Sequence, residues 1–228
     1  MINKLCRLEN TLPLFGRKQI SIKDVGVALD GWHLSGENEN IVQYDHENGD
    51  VFSINFFAKQ PDIGASLADV TGIRNFYREM LIPNNMGLLE CDVHSIDGMP
   101  SVYMLAKLLM EPRGFVFLAS HTIPRRDCSF VLKYQAIETG MTGIRESAVM
   151  AMLPTPEIDE QTNKMIGWCS DPYDKSLEYS VMCNKADALE YDKKFPDHPL
   201  SRTRKFMEQL PNIVNVTDKL RKTPEFKP

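Results

Sequence analysis

Five histidines (His33, His46, His94, His121, His198) and five cysteines (Cys6, Cys91, Cys128, Cys169, Cys183) are the side chains best suited to acid–base or nucleophilic chemistry here. The C-terminal third holds the fullest set. Asp171 or Asp174 could act as a base or metal ligand, His198 as an acid, and Arg202 or Arg204 as the holder of an anion. A hydrolase-like enzyme could be built that way, provided two distant segments converge. Cys91 and His94 suggest a nucleophile and its base, but an offset of three along a strand puts them on opposite faces. His121 follows Phe115, Phe117 and Ala119 on one face of a strand, the pattern of a packed histidine, while His33 and His46 flank polar turns and have no metal-ligand partner at a useful spacing. There is no G-x-S-x-G elbow, H-E-x-x-H, P-loop or dinucleotide fingerprint. No cofactor and no metal ion are expected.

Another use of the same region is contact. The stretches 168–174 and 191–204 interleave aromatics with both charges, as recognition surfaces do, and nominate Trp168, Tyr173, Asp174, Tyr191, His198 and Arg202 as binding residues. A structural explanation competes with it. Asp197 or His198 could simply cap the helix that Pro199 opens, and Tyr191 with Phe195 could pin the chain to a sheet.

The elements that must position these groups are legible as strands first. Short runs over 20–22, 25–29, 41–44 and 51–58 are separated by polar turns, including Asp30-Gly31-Trp32. Ser66 and Asp69 resemble a capping box ahead of a helix carrying Val70, Ile73, Tyr77, Met80 and Leu81 inward and Asp69, Arg74, Arg78 and Glu79 outward, stopped at Pro83. Four strands then follow between 86 and 137, joined by turns at Asp97-Gly98, 111–114 and 124–127. This is an antiparallel meander. Its second strand has an apolar face (Val102, Met104, Ala106, Leu108, Met110) and a mixed one (Tyr103, Leu105, Lys107, Leu109), which leaves Leu105 and Leu109 in need of cover. Thr142 is expected to cap a helix through Ile144, Ala148 and Met152, ended by Pro154 and Pro156, and Pro199 to open a helix burying Leu200, Thr203, Met207 and Leu210. Residues 177–183 could form one more strand, and a frayed tail is expected from about 219. The twelve methionines suit a gap-filling role in the core.

Composition narrows the function classes. The chain has 228 residues, 43% of them hydrophobic and 25% charged, with a net charge of −5. That balance fits a globular domain and supplies no positive field for phosphates, so nucleic-acid binding is not expected. The odd, scattered cysteines without a C-x-x-C pair suggest neither a disulfide scaffold nor zinc, and no run approaches a membrane span or a signal segment. The expected setting is cytoplasmic.

Strand, Gly31-Trp32, hairpin, helix, four-strand meander and helix, in that order, resemble the PsbP-like αβα sandwich proteins over residues 19–153. The resemblance implies a recognition surface more than an active site, since members of that fold group are mostly binding, assembly or accessory proteins. The expected fold is thus α+β, an antiparallel meander flanked by helices over 1–153, with a C-terminal extension over 154–228 packing on it. The expected function is non-enzymatic binding of another protein, in its most concrete form a bacterial immunity or secretion-system accessory protein whose acidity suits a basic partner. The alternatives are the hydrolase using Asp171, Asp174 and His198, and a self-associating structural subunit.

Overall fold

The computed structural model describes residues 19–155 and 157–228. Cys6 with the rest of 1–18, and Pro156 as a helix stop, lie outside the described residues. β1 (Val25–Val27) leads to β2 (Trp32–Glu37), β3 (Ile41–His46) and β4 (Val51–Phe57). Helix α1 (Val70–Leu81) precedes the meander β5 (Met86–Ile96), β6 (Met99–Leu109), β7 (Phe115–Pro124) and β8 (Ser129–Ile137). There follow α2 (Ile144–Met152), the short β9 (Cys169–Ser170) and β10 (Cys183–Asn184), α3 (Pro199–Ile213), β11 (Val214–Val216) and α4 (Asp218–Arg221). Seven strands form one antiparallel sheet in the order β2-β3-β4-β8-β7-β6-β5, and β1 pairs with β11 apart from it.

Strand alternation sends neighbouring residues to opposite faces, and in β6 and most of β7 both faces are buried. Val102, Met104 and Ala106 of β6 pack with Ile73, Tyr77 and Leu81 of α1, whereas Tyr103 and Leu105 join Leu200, Met207 and Leu210 of α3. The fold is therefore α+β, with helices on both faces of the sheet. The mixed face of β6 is covered by α3, which lies in the C-terminal extension; Leu105 is fully buried while Leu109 stays half exposed. Burying Leu200, Met207 and Leu210 contributes about 1.5–3 kcal/mol for each side chain.

Local chemistry explains the element ends. Asp69 caps α1 by accepting from the Gly72 N–H at 2.9 Å, and Gly72 is needed because a Cβ there would lie 2.3 Å from the capping carboxylate. Asp97 and Gly98 both take positive φ, as a two-residue hairpin requires, and so pair Ile96 with Met99. Helix α2 starts after Gly143 in the left-handed region, with no side-chain cap, so Thr142 is not its cap.

The extension is fastened by buried charge. The Lys107 ammonium donates to Asp187 at 2.6 Å, with both side chains at most 2% exposed. Asp187 also accepts from the Asn184 N–H at 2.7 Å. The chain then rounds the β5 edge so closely that a Cβ on Gly87 would lie 2.1 Å from the Val181 carbonyl oxygen. An otherwise open sheet edge is thereby covered.

Two expectations about the ends are corrected. Residues 219–228 are not a frayed tail: Leu220 is fully buried, Arg125 donates to Thr223 Oγ1 at 2.8 Å, and Phe226 packs beside the α1 cluster. Apolar anchors within and beyond α4 give this segment a reason to stay down. Likewise 177–183 is not a strand; only Cys183–Asn184 pairs, with Cys169–Ser170.

Replacing Asp187 by Ala strands a buried ammonium and is expected to cost about 3–5 kcal/mol, while the double change Lys107→Met with Asp187→Leu recovers most of it. Urea denaturation of the three proteins measures this, and an Asp187→Ala variant as stable as wild type would contradict the fastening role.

Candidate functional site

The residues nominated from the sequence do not converge. Asp171 is buried on the α1 side of the sheet, where its carboxylate accepts from Arg78 Nε at 2.8 Å and Nη2 at 2.6 Å, from the Tyr179 hydroxyl at 2.8 Å and from the Tyr173 and Asp174 amides. Burial alone would raise the Asp171 carboxyl, but these donors, Arg78 foremost, hold it below the usual carboxylate range. Arg78 is consequently buried, not outward as its helix position suggests. His198 stands on the α3 side, its ring edge-on to Phe117 at 5.5 Å. The sheet separates the proposed base from the proposed acid, so the Asp171, Asp174 and His198 constellation is not formed.

The contact residues also find internal partners. Trp168 and Tyr191 are buried together with Val149 and Ala186 in a satellite core, so they are not exposed aromatics. Arg202 is held bidentately by buried Asp50, with both oxygens at 2.8 Å. Tyr173 lies under the Arg74 guanidinium, 3.7 Å from the ring centroid, and its oxygen accepts from the Cys91 N–H at 2.7 Å. Asp174 accepts from Ser176 Oγ at 2.6 Å within its own turn. Cys91 is buried against α1, and burial pushes its thiol up to about 12, which leaves it unreactive. His94, as its strand offset requires, is on the other face.

His198 belongs to the set of donors nearest to a metal site among the described residues. Glu138, Glu146 and His198 bring one ligand atom each within 4.8 Å of one another. His198 Nε2 is 3.6 Å from Glu138, and neither Nε2 nor Glu146 Oε2 has a hydrogen-bond partner. The other ring nitrogen argues against an ion. Nδ1 accepts from the Leu200 N–H at 3.2 Å as the cap of α3, so a neutral imidazole carries its proton on Nε2, the atom a metal would need bare. The geometry fits an Nε2–H facing two carboxylates. Burial would raise the Glu138 carboxyl, yet His198 and the Gly143 and Phe115 amides keep it low.

A cluster that the sequence did not suggest lies between β5, β6, β7 and α3. Tyr103 and His121 are cross-strand partners, and His94 sits two residues along on β5, opposite Ser101. The three rings pack on one another, with His94 stacked on Tyr103 at 5.0 Å between centroids and His121 tilted against Tyr103 at 5.1 Å. Arg204, Met207, Glu208 and Pro211 recur at helical spacing on α3 and make the facing wall of an open cavity of about 510 Å³ that Leu189 also lines. The Tyr103 hydroxyl donates to Glu90 at 3.1 Å, and Arg204 donates to Glu90 at 2.6 Å and to Asp192 at 3.0 Å. Burial, then the neighbouring His94, lowers His121 to about 3. It stays neutral, with Nδ1 against Ser101 Oγ at 3.0 Å. Burial, then Glu90, pushes the Tyr103 hydroxyl up, so it too stays protonated. With Glu90 and Arg204 spent on each other, the cavity can stack and hydrogen-bond a guest but has no activated nucleophile. The sequence carried one usable signal: the Asp97-Gly98 hairpin sets the register that brings His94 level with Ser101.

No protein-family model matches the chain, and no curated protein matches it. Among solved structures, the chain is similar to a protein of unknown function from Pseudomonas aeruginosa, at 18% identity and a TM-score of 0.35, over 54% of this chain and 88% of that one. Among the described residues no helix is long and apolar enough to cross a membrane.

Three measurements check these assignments. The Asp171 pKa is lower folded than unfolded, so its contribution is complete above about pH 4 and is lost as the pH falls through the folded value. Asp171→Asn should be less stable near neutrality, by about 2 kcal/mol, and lose less between about pH 4 and pH 2; urea midpoints against pH that run parallel to wild type would contradict this. His198→Asn, which keeps a capping acceptor, should stay within about 0.5 kcal/mol of wild type, whereas His198→Ala should lose about 1 kcal/mol. Zinc should leave the thermal midpoint unchanged; a saturable rise abolished by Glu146→Gln would show that the cap yields to a metal.

Proposed function

We propose that the protein works by binding another protein and not by catalysis. The observation that carries this is the inverted polarity of α2. Its inward face holds Arg145 and Val149, while Ile144 and Met152 are 51% and 52% exposed and Met141, just before the helix, is 78% exposed. Within the helix Ile144, Ala148, Ala151 and Met152 recur at the i, i+4, i+7, i+8 spacing of one stripe. Helices normally turn such a stripe inward, and a solvent-facing one is how amphipathic elements dock on a partner. The net charge of −5 favours a basic partner. The spent state of the other candidate groups supports the same reading, since Asp171, Arg202 and Arg204 are each committed to ion pairs within the chain. An immunity or secretion-system accessory role is the finer form of the proposal and rests on the acidity of the chain, while the resemblance to PsbP-like proteins, carried by the strand layout and Gly31-Trp32, supports binding alone.

The test replaces Ile144 and Met152 together by Glu. Both are exposed, so stability should change by no more than about 0.5 kcal/mol. Wild-type protein passed over native cytosol at low salt should retain a stoichiometric partner that the double variant loses. Recovery of no such partner, or equal recovery by both proteins, would overturn the proposal; a concentration-dependent mass in sedimentation, lost in the variant, would assign the stripe to self-association instead.

A further inference from the structure

The cavity between the ring platform and α3 is independent of the α2 stripe and has features that a docking surface does not need. Its floor is aromatic, from three adjacent strands: His94, Tyr103 and His121. Its wall is apolar where Met207 and Pro211 face those rings, and Leu189, 69% exposed, adds an apolar side chain to the lining.

The polar groups narrow the guest further. His121 is 1% exposed and its Nδ1 is taken by Ser101, so Nε2 is the ring nitrogen left to meet a guest. Its neutrality makes that contact a hydrogen bond and not an ion pair. Arg204 offers little to an anion, because its donors go to Glu90, Asp192 and the Asp187 carbonyl. Glu208 is the uncommitted charge on the rim, exposed on α3 and without an ion-pair partner among the described residues. A rim carboxylate with no opposing cation attracts a positive substituent and repels a negative one.

We infer that this cavity binds a small planar aromatic ring with a hydrogen-bonding edge and an amino substituent, the ring stacked on the exposed His94, its edge meeting His121, and the amine beside Glu208. Its volume of about 510 Å³ lies within the range of small-molecule sites and admits a fused two-ring system. Stacking geometry favours flat guests, since parallel and offset rings pack at the 4.5–7 Å separations typical of aromatic pairs. The inference concerns a ligand other than the protein partner proposed above.

Three probes share one ring and differ in charge: indole, tryptamine and indole-3-acetate. With five histidines in the chain, the imidazole resonances of His94 and His121 can be followed by NMR during titration at about pH 8, where ordinary histidines are neutral. Tryptamine should shift both saturably and bind tighter than indole-3-acetate by about two- to fivefold, the size of an exposed charge contact. Glu208→Gln should erase that preference while leaving indole unchanged, and His94→Ala should weaken all three probes about threefold or more. These positions are exposed, so the variants are expected to fold, and Leu189→Ala gives an independent weakening through loss of an apolar lining contact. Absence of saturable shifts with every probe, or affinities unaltered by both His94→Ala and Leu189→Ala, would overturn the inference. Equal or tighter binding of indole-3-acetate would overturn its assignment to amines.

Discussion

A buried guanidinium has to be satisfied by hydrogen bonds, and the placement of Arg145 organises the C-terminal half of this protein. Its side chain is 1% exposed and donates to the Ala186 and Ala188 carbonyls, to Ser201 Oγ and to Asp192. These acceptors come from two segments that no regular pairing would bring together, the turns before α3 and α3 itself. Leaving a charge of this kind unmet in the interior would cost several kcal/mol, so α2, the turns and α3 are tied into one unit. Asp192 passes the tie onward to Arg204, which reaches Glu90 on β5 and, through it, Tyr103. Satisfying Arg145 also explains the outward apolar stripe of α2: a helix that turns its arginine inward presents the opposite face to solvent.

The sheet acts as a partition. Because both faces of β6 and most of β7 are buried, groups on α1 and groups on α3 cannot share a site however near they lie in the sequence, and this is why Asp171 and His198 serve different purposes. Asp171 locks the 169–179 segment to α1, while His198 starts α3. The extension, by rounding the β5 edge at Gly87, belongs to both sides. Structural ion pairs lower and raise pKa values as active sites do, and here the perturbed carboxyls at Asp171 and Glu138 mark fastening points.

The elements with strong periodicity were legible in the residues: the four-strand meander, α1 and the amphipathic α3 lie where alternation and helical spacing put them. So was the separation of Cys91 from His94, since strand geometry alone decides it. The cap of α3 was legible as one of two alternatives, His198 or Asp197. Missed were the outcomes that depend on a distant partner. Arg78 looks like a surface residue until Asp171 arrives from 93 positions away, and residues 219–228 look like a polar tail until Leu220 and Phe226 find the core. The ring platform was missed for the same reason, as His94, Tyr103 and His121 become neighbours only through two successive strand registers.

The sequence by itself determined which local structures form and what the chain could not be, because periodicity, capping and charge balance act over a few residues or over the whole composition. It determined an antiparallel α+β domain without the motifs of known catalytic sites. Tertiary structure alone decided which charges are spent and which surfaces remain. Ion pairs such as Lys107 with Asp187 and Arg202 with Asp50 join residues 80 and 152 positions apart, and their low-dielectric surroundings, not their spacing, make them structural. The cavity beside α3 and the exposed stripe of α2 are what that pairing left over.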